Sequence, residues 1–465
     1  MSPQPHLTIR NLTSTPITLI NSSSFPTPTS PSTSSLTSLI IRAPPPAAPT
    51  SAALYAHAQQ VTHITLNATI PAYTAIPLPL TLKESHTLRL DFTVPTATTP
   101  LKFRLDIPCH PKLELPIAPL SGPTQTKLVG LFHHHQHHIA IIPTSDPRTW
   151  MAHLPDATPI TALSLPGTHN SPTYHRALPS VRCQAVPIRT QLAHGVRFLD
   201  IRVQPPSLTL VHGAFPITLR GSRTLASALA ECYTFLEAHK SETIIVSLKR
   251  EGRGNTSDEQ FSRLLQSEIV NKHPEMWYTS AALPTLGEAR GKCVLFRRFA
   301  LDPAMAEQHK TEGWGIDAEE WTYNSPNDRY NRLCVQDFCE VLHADTIAKK
   351  IGYVKEHLER SCEELAAQEK KAEQSAAVEG PPLFLNFLSG SNFWRVGCWP
   401  EKIARVLNPA VLEHLAVEHK IVGGRASTGV VVLDFVGEDG DWGVVKLLVA
   451  MNAGLLVREG GQDGK

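Results

Sequence analysis

Side chains able to move protons or hold anions stand at the ends of apolar runs: His169 after LSLPGT, Asp200 and Arg202 in FLDIR, His212 in LVHG, Lys249 in VSLKRE, Arg298 in LFRRF and Asp434 in VVVLDF. If a sheet gathers the ends of these runs, two imidazoles, two carboxylates and three cations face one cleft. Such a set suits phosphoryl transfer. One imidazole removes a proton from an attacking hydroxyl, the other protonates the leaving oxygen, and a guanidinium offsets charge on the phosphoryl oxygens. Taken singly, each has a plainer reading: a strand-end histidine as a hydrogen-bonded structural residue, Asp-x-Arg as an ion pair, SLKRE as a surface turn.

The elements that must position these residues are legible from residue 160 onward. Apolar runs ITALSLPG, GVRFLDIRV, LTLVHG, TIIVSLKRE, KCVLFRR, LFLNFLS and GVVVLDFVG alternate with helical stretches, which predicts an α/β domain with a parallel sheet. Leu225 to His239 carries one apolar helical face. A longer helix from about Asp345 places Ile347, Ile351, Val354, Leu358, Cys362 and Leu365 at three- and four-residue spacing. Its charged continuation to Gly380-Pro381-Pro382 reads as solvated helix and loop. Seven or eight strands suit a closed (β/α) barrel, in which polar residues at the C-terminal strand ends meet at one mouth.

The first 150 residues differ in kind. They hold 22 of the 39 prolines and only 5 of the 42 acidic residues, so the composition changes near residue 150. Alternating runs at 7 to 13, 61 to 70, 86 to 94 and 102 to 107 predict half-buried strands and an all-β, sandwich-like domain over 1–145, ahead of a barrel over 155–460. The Ser/Thr/Pro-rich stretch from Asn21 to Thr50 reads as a long loop. His133, His134, His135, Gln136, His137 and His138 fit either a solvated strand or loop, or imidazoles sharing a metal; adjacent histidines fix no ligand geometry.

With 43 Lys and Arg against 42 Asp and Glu, the 465-residue chain has no global field for nucleic acid, so phosphate recognition must be local. No stretch approaches the roughly 20 apolar residues that span a bilayer, and MSPQPHLTIRNLT lacks the layout of a secretion signal. The chain therefore reads as cytoplasmic. Eight cysteines without a CxxC pair read as buried free thiols.

SLPGTHNS (164 to 171), QLAHGVRFLDIRV (191 to 203), LVHG (210 to 213), SETIIVSLKRE (241 to 251), LGEARGKCVLFRRF (286 to 299) and VVVLDF (430 to 435), in this order, resemble the X-domain of phosphatidylinositol-specific phospholipase C in its bacterial, metal-independent form. The resemblance implies a distorted TIM-type barrel that cleaves the phosphodiester of an inositol phospholipid, yielding diacylglycerol and an inositol cyclic phosphate. It casts His169 as the base for the inositol 2-hydroxyl, Asp434 as the carboxylate that orients it, and His212 as the acid toward the diacylglycerol oxygen. Arg202 becomes the phosphate ligand with Asp200 beside it, while Lys249 and Arg298 help line the inositol pocket and Asn170 joins them as a substrate-binding residue.

Calcium-dependent relatives place carboxylates where this chain has Arg202 and Lys249. Two fixed cations oppose a divalent ion, so the expectation is no catalytic metal and no cofactor. Asn170 stands where the metal-independent enzymes carry an Asp that assists the acid histidine, and it lacks the charge to raise an imidazole's pKa. Phe393, Trp394 and Trp399 suit either peripheral, transient contact with a lipid surface or ordinary packing. The N-terminal domain reads equally as a membrane-targeting module or a cap on the barrel. A different class of function, a catalytically weak inositol-lipid-binding protein, is favoured by Asn170 alone.

Overall fold

The computed structural model describes residues 6–27, 62–109, 113–178, 180–374 and 380–460. The chain divides into two units, Met1–Pro143 and Thr144–Lys465.

Period-two alternation builds the first unit. Strands β1 (Leu7–Asn11), β2 (Ile17–Pro26), β3 (Thr62–Ile70), β4 (Ala75–Leu78), β5 (His86–Val94), β6 (Leu101–Ile107), β7 (Glu114–Pro119), β8 (Leu128–His133) and β9 (His138–Pro143) pair in the order β3-β2-β5-β6-β7-β8-β9-β1-β4. Strand β7 pairs with β8 through Glu114 to Pro116 and with β6 through Ile117 to Pro119, so it passes from one sheet to the other. Ile9, Leu19, Leu90, Phe92, Phe103, Leu105, Ile139 and Ile141 fill the core of the resulting sandwich.

One local expectation needs correction. Asn21 to Pro26 are not loop but the second half of β2, where Ser22 to Ser24 are paired on one side with β3 and on the other with β5. Pairing on both edges satisfies the backbone and overrides the weak strand propensity of serine. The rest of that Ser/Thr/Pro-rich stretch, 28 to 50, lies outside the described residues. The histidine tract forms a hairpin turn: His133 ends β8, His134–Gln136 make a 3₁₀ turn, His137 takes φ +48°, and His138 opens β9.

The second unit is a parallel barrel. Its strands are β10 (Leu165–Thr168), β11 (Phe198–Gln204), β14 (Ile244–Arg250), β16 (Cys293–Arg298), β17 (Ile316–Asp317), β19 (Leu333–Gln336), β20 (Leu383–Phe387) and β21 (Val430–Leu433). They join in the order β19-β20-β21-β10-β11-β14-β16-β17, all parallel. Two residues of β15 (Trp277–Tyr278) also flank β16, and β18 (Asp328–Tyr330) runs antiparallel to β19. No ladder joins β17 to β19 among the described residues. Side chains cross that seam instead, with Tyr330 Oη and Asn331 Nδ2 donating to Asp317 Oδ2 at 3.3 and 3.2 Å. The barrel is thus distorted and nearly closed.

The run LTLVHG is not a barrel strand. It forms β12 (Thr209–His212), which folds back antiparallel on the end of β11 and continues into a two-residue partner, β13 (Phe215–Pro216). Of the run ITALSLPG only the second half is extended, since Ile160–Ala162 form a 3₁₀ turn. The expected helices are present as Leu225–Ala238, capped by Thr224 accepting from Ser227 N, and as Ala344–Gln374. No helix among the described residues is long and apolar enough to cross a membrane.

Two features fix the strands that matter most for the site. Before β21, Gly429 takes φ +65° against the Phe384 backbone, where an added Cβ would come within 2.5 Å of Phe384 Cβ, so only glycine fits. At the entry to β11, the fully buried Arg197 donates to Glu242 Oε2 at 2.7 and 2.9 Å and to the carbonyls of Leu192, Val196, Pro147 and Arg148. Arg197→Met leaves Glu242 buried without its cation. We expect a loss of about 3–5 kcal/mol in urea unfolding of the barrel; a change below ~1 kcal/mol would show that the pair does not anchor β11.

Candidate active site

Sheet register assembles the site. Arg202 on β11 lies opposite Lys249 on β14, and Lys249 lies opposite Arg298 on β16, so three neighbouring strands present three cations at one level. Side chains directly opposite in a parallel ladder share a face. The row is balanced from below and above. Asp200, two residues before Arg202 on the same face and fully buried, receives Arg202 Nε and one terminal nitrogen at 3.3 and 3.2 Å and Arg298 at 3.5 Å. Glu251, just past β14, receives Arg202 at 3.0 Å, Lys249 Nζ at 3.0 Å and the backbone N–H of Gly213 at 2.8 Å. Arg298 also lies 4.0 Å above the ring of Trp321, whose Nε1–H donates to Asp337 beyond β19.

His169 and Asp434 follow the last paired residues of the adjacent strands β10 and β21, so they meet at the mouth. His169 Nδ1 is 2.8 Å from Asp434 Oδ1, and Arg202 donates to His169 Nε2 at 2.8 Å. A guanidinium has only donors, so Nε2 carries the lone pair and Nδ1–H donates to the carboxylate. This is a neutral imidazole with its basic nitrogen turned toward a cation.

His212 faces His169 with ring centroids 5.7 Å apart. Its Nδ1 donates to the carbonyl of Val181 at 2.9 Å, which leaves Nε2 for the cleft. Val181 belongs to a strap, 181–184, that holds both histidines. The Cys183 carbonyl accepts from Phe435 N, and Gln184 Nε2 donates to the carbonyls of His169 and Leu433 at 2.7 and 2.9 Å. Asn170 does not orient His212. Its backbone N–H donates to Asp200 Oδ2 at 3.1 Å, but its fully buried side chain makes no hydrogen bond and does not bind His212. The residue takes φ +42°, which keeps its backbone aimed at Asp200. In this site the carbonyl of Val181 does the orienting that the sequence assigned to position 170.

Charge follows this packing. Burial works to raise the Asp200 carboxyl, yet Arg202 and Arg298 hold it well below the usual carboxylate range. Against burial, Arg202 and Lys249 likewise bring Glu251 down to about 2. Glu251 and Asp200 keep the Arg202 guanidinium charged in spite of its burial. Burial, with Arg298 and Arg202 nearby, lowers Lys249. Burial and Arg202 push His212 down to about 3, so the free site holds it neutral. Burial raises the Cys183 thiol far above its ordinary value, leaving it protonated 3.6 Å from His212 Nδ1. His169, Cys183 and Asp434 present ligand atoms within 4.8 Å of one another, but a cation entering there meets the guanidinium already seated on His169.

The geometry therefore unites His169, Asp434, Arg202, Asp200, Arg298 and His212 directly, and Lys249 through Glu251. Glu251, the 181–184 strap, Trp321 and Asp337 were not read from the sequence. Glu251 had a signal, since it shares strand parity with Lys249 inside SLKRE; the strap has none.

Fold and site together define a parallel (β/α) barrel with two facing histidines beside a buried guanidinium. Residues 157–299 match the family model of the phosphatidylinositol-specific phospholipase C X domain. It is 31% identical over 222 residues to a 1-phosphatidylinositol phosphodiesterase of Listeria monocytogenes, a match covering 44% of this chain and 64% of that protein. A Staphylococcus aureus protein of the same description is 26% identical over 322 residues, covering 65% and 93%. A solved S. aureus phosphatidylinositol-specific phospholipase C, reported for modulation of its membrane binding, shares the fold with a TM-score of 0.50 at 24% identity, over 66% of this chain and 97% of that one.

Two outcomes test this site. NMR of imidazole nitrogens should find His212 neutral and Nδ1-protonated down to about pH 5 in the free protein, well below the ordinary histidine midpoint near 6.5; a cationic ring at pH 6 would contradict the burial argument. Glu251→Gln removes a charge shared by Arg202 and Lys249 and should lower kcat/KM by ~10-fold or more through misplacement of the guanidinium, with the thermal midpoint as the check on folding.

Proposed function

We propose that the barrel is a phospholipase C-type phosphodiesterase acting on phosphatidylinositol or a related inositol phospholipid. The observation that carries this reading is the seating of Arg202 on the basic nitrogen of His169 at 2.8 Å, with Asp434 behind that ring and His212 across from it. An arriving phosphodiester takes the guanidinium for its oxygens, which frees His169 Nε2. That nitrogen accepts the proton of the inositol 2-hydroxyl as its oxygen bonds to phosphorus, and Asp434 steadies the imidazolium. The glyceryl oxygen leaves with a proton from His212 Nε2, and the products are diacylglycerol and an inositol cyclic phosphate.

His212 must be protonated to act as acid, yet the free site holds it neutral. The bound phosphodiester supplies the negative charge that raises it, so the acid is made by the substrate. Asp200 and Glu251 fix Arg202, and with the row Arg202, Lys249 and Arg298 they favour an anionic, polyhydroxylated ligand over a divalent cation. No metal enters this scheme.

The rim supports transient membrane contact. Trp394 is 88% exposed, Phe393 stacks on Phe215 with centroids 6.1 Å apart, and Leu219 and Val396 are also exposed. A cluster of exposed apolar rings beside the hairpin that carries His212 suits a lipid interface. We assign the N-terminal sandwich an accessory role.

The test is incubation with phosphatidylinositol vesicles in excess EDTA, followed by ³¹P NMR. A cyclic inositol phosphate signal is expected from the native protein and a loss of at least ~10³-fold from His169→Ala or His212→Ala. A calcium requirement, or full activity in either variant, would overturn the scheme. Trp394→Ala should weaken vesicle binding while leaving turnover of a soluble inositol phosphodiester unchanged.

A further inference from the structure

A second cluster lies outside the barrel mouth, where helix Ala344–Gln374 meets helix Pro400–Val417. Glu359 projects from the first helix and His414 from the last turn of the second. After that helix, the backbone N–H groups of Glu418 and His419 both return to the carbonyl of His414 at 2.8 Å, and this turn folds His419 back beside His414. Glu359 Oε1 then lies 2.8 Å from His414 Nε2 and 2.9 Å from His419 Nδ1, and ligand atoms of the three residues lie within 4.8 Å of one another. Both imidazoles are buried, at 5% and 1% exposure, and Glu359 remains open to solvent on one side.

We propose that Glu359, His414 and His419 bind a divalent transition-metal ion of the zinc class. Two imidazole nitrogens and one carboxylate oxygen are a borderline donor set that suits such ions, with a fourth position left for water. A second carboxylate already stands where a metal-bound histidine needs one: His414 Nδ1 is 2.9 Å from Glu418 Oε2, which fixes the ring and turns Nε2 toward the centre of the triangle. Bonds of about 2.0–2.1 Å to a central ion require the Glu359-to-histidine spacings to open by only a few tenths of an ångström. The bound ion would tie two long helices together just before β21, the strand that delivers Asp434, so its role is structural.

The experiment uses the full chain, stripped with chelator and titrated with Co²⁺ and Zn²⁺. Visible d–d bands should appear with about one equivalent of Co²⁺, persist in His169→Ala, and be lost in Glu359→Gln and His414→Gln. Zn²⁺ should raise the thermal midpoint of the native chain by a few degrees and leave that of Glu359→Gln unmoved. X-ray absorption on the native Zn²⁺ form needs no variant: a first shell of nitrogen and oxygen with two imidazoles is expected. A sulfur scatterer would put the ion at Cys183, and four imidazoles would put it at the 133–138 tract; either result overturns the proposal. So would bands that survive Glu359→Gln, or the absence of any bound metal, which would leave the cluster as a histidine–carboxylate clamp between the helices.

Discussion

Three cations in one row constrain everything else in the barrel. Arg202, Lys249 and Arg298 stand opposite one another on adjacent strands, and like charges at that spacing inside a protein repel strongly unless carboxylates share them. Asp200 and Glu251 are those carboxylates, and each contacts two of the three cations. Their compensation is partial by count, two charges against three. The row itself is left one positive charge in excess, which an anionic ligand can meet, while Asp434 stands behind His169 on the other side of the cleft.

The same row sets the state of the histidines. Arg202 reaches from β11 to His169 at the end of the neighbouring β10 and selects its tautomer, and its field helps keep His212 neutral. In the proposed scheme the arriving phosphodiester both frees the base from Arg202 and supplies the negative charge that the acid awaits. In that scheme binding and activation are coupled. The strap at 181–184 makes this possible, since one short segment positions His212 by a carbonyl, His169 by a glutamine side chain, and the end of β21 by a second carbonyl.

Support for the row comes from the far end of the strands. Arg197 and Glu242 lock the entry to β11, and Gly429 lets β21 begin in close contact with β20. Where β17 and β19 fail to pair, Tyr330 and Asn331 reach Asp317 and hold the seam. The open seam costs little at the site, because Arg202, Lys249, His169 and Asp434 lie on β10, β11, β14 and β21 or just beyond them, strands that pair without interruption.

The sequence by itself determined the barrel class, because long apolar runs in alternation with amphipathic helices leave few ways to bury both sheet faces. It also determined which residues stand at strand ends, and hence His169, Arg202, Asp200, Lys249, Arg298 and Asp434. Short elements escaped it: β17 and β19 are two and four residues long, too brief to carry a period, and the run LTLVHG has the composition of a barrel strand although it folds into a hairpin. Only the tertiary structure decided that Arg202, Lys249 and Arg298 share one level, that Glu251 bridges two of them, and that a carbonyl rather than Asn170 orients His212. Register and backbone contacts made across tens of residues settle those points, and neither leaves a trace in local composition.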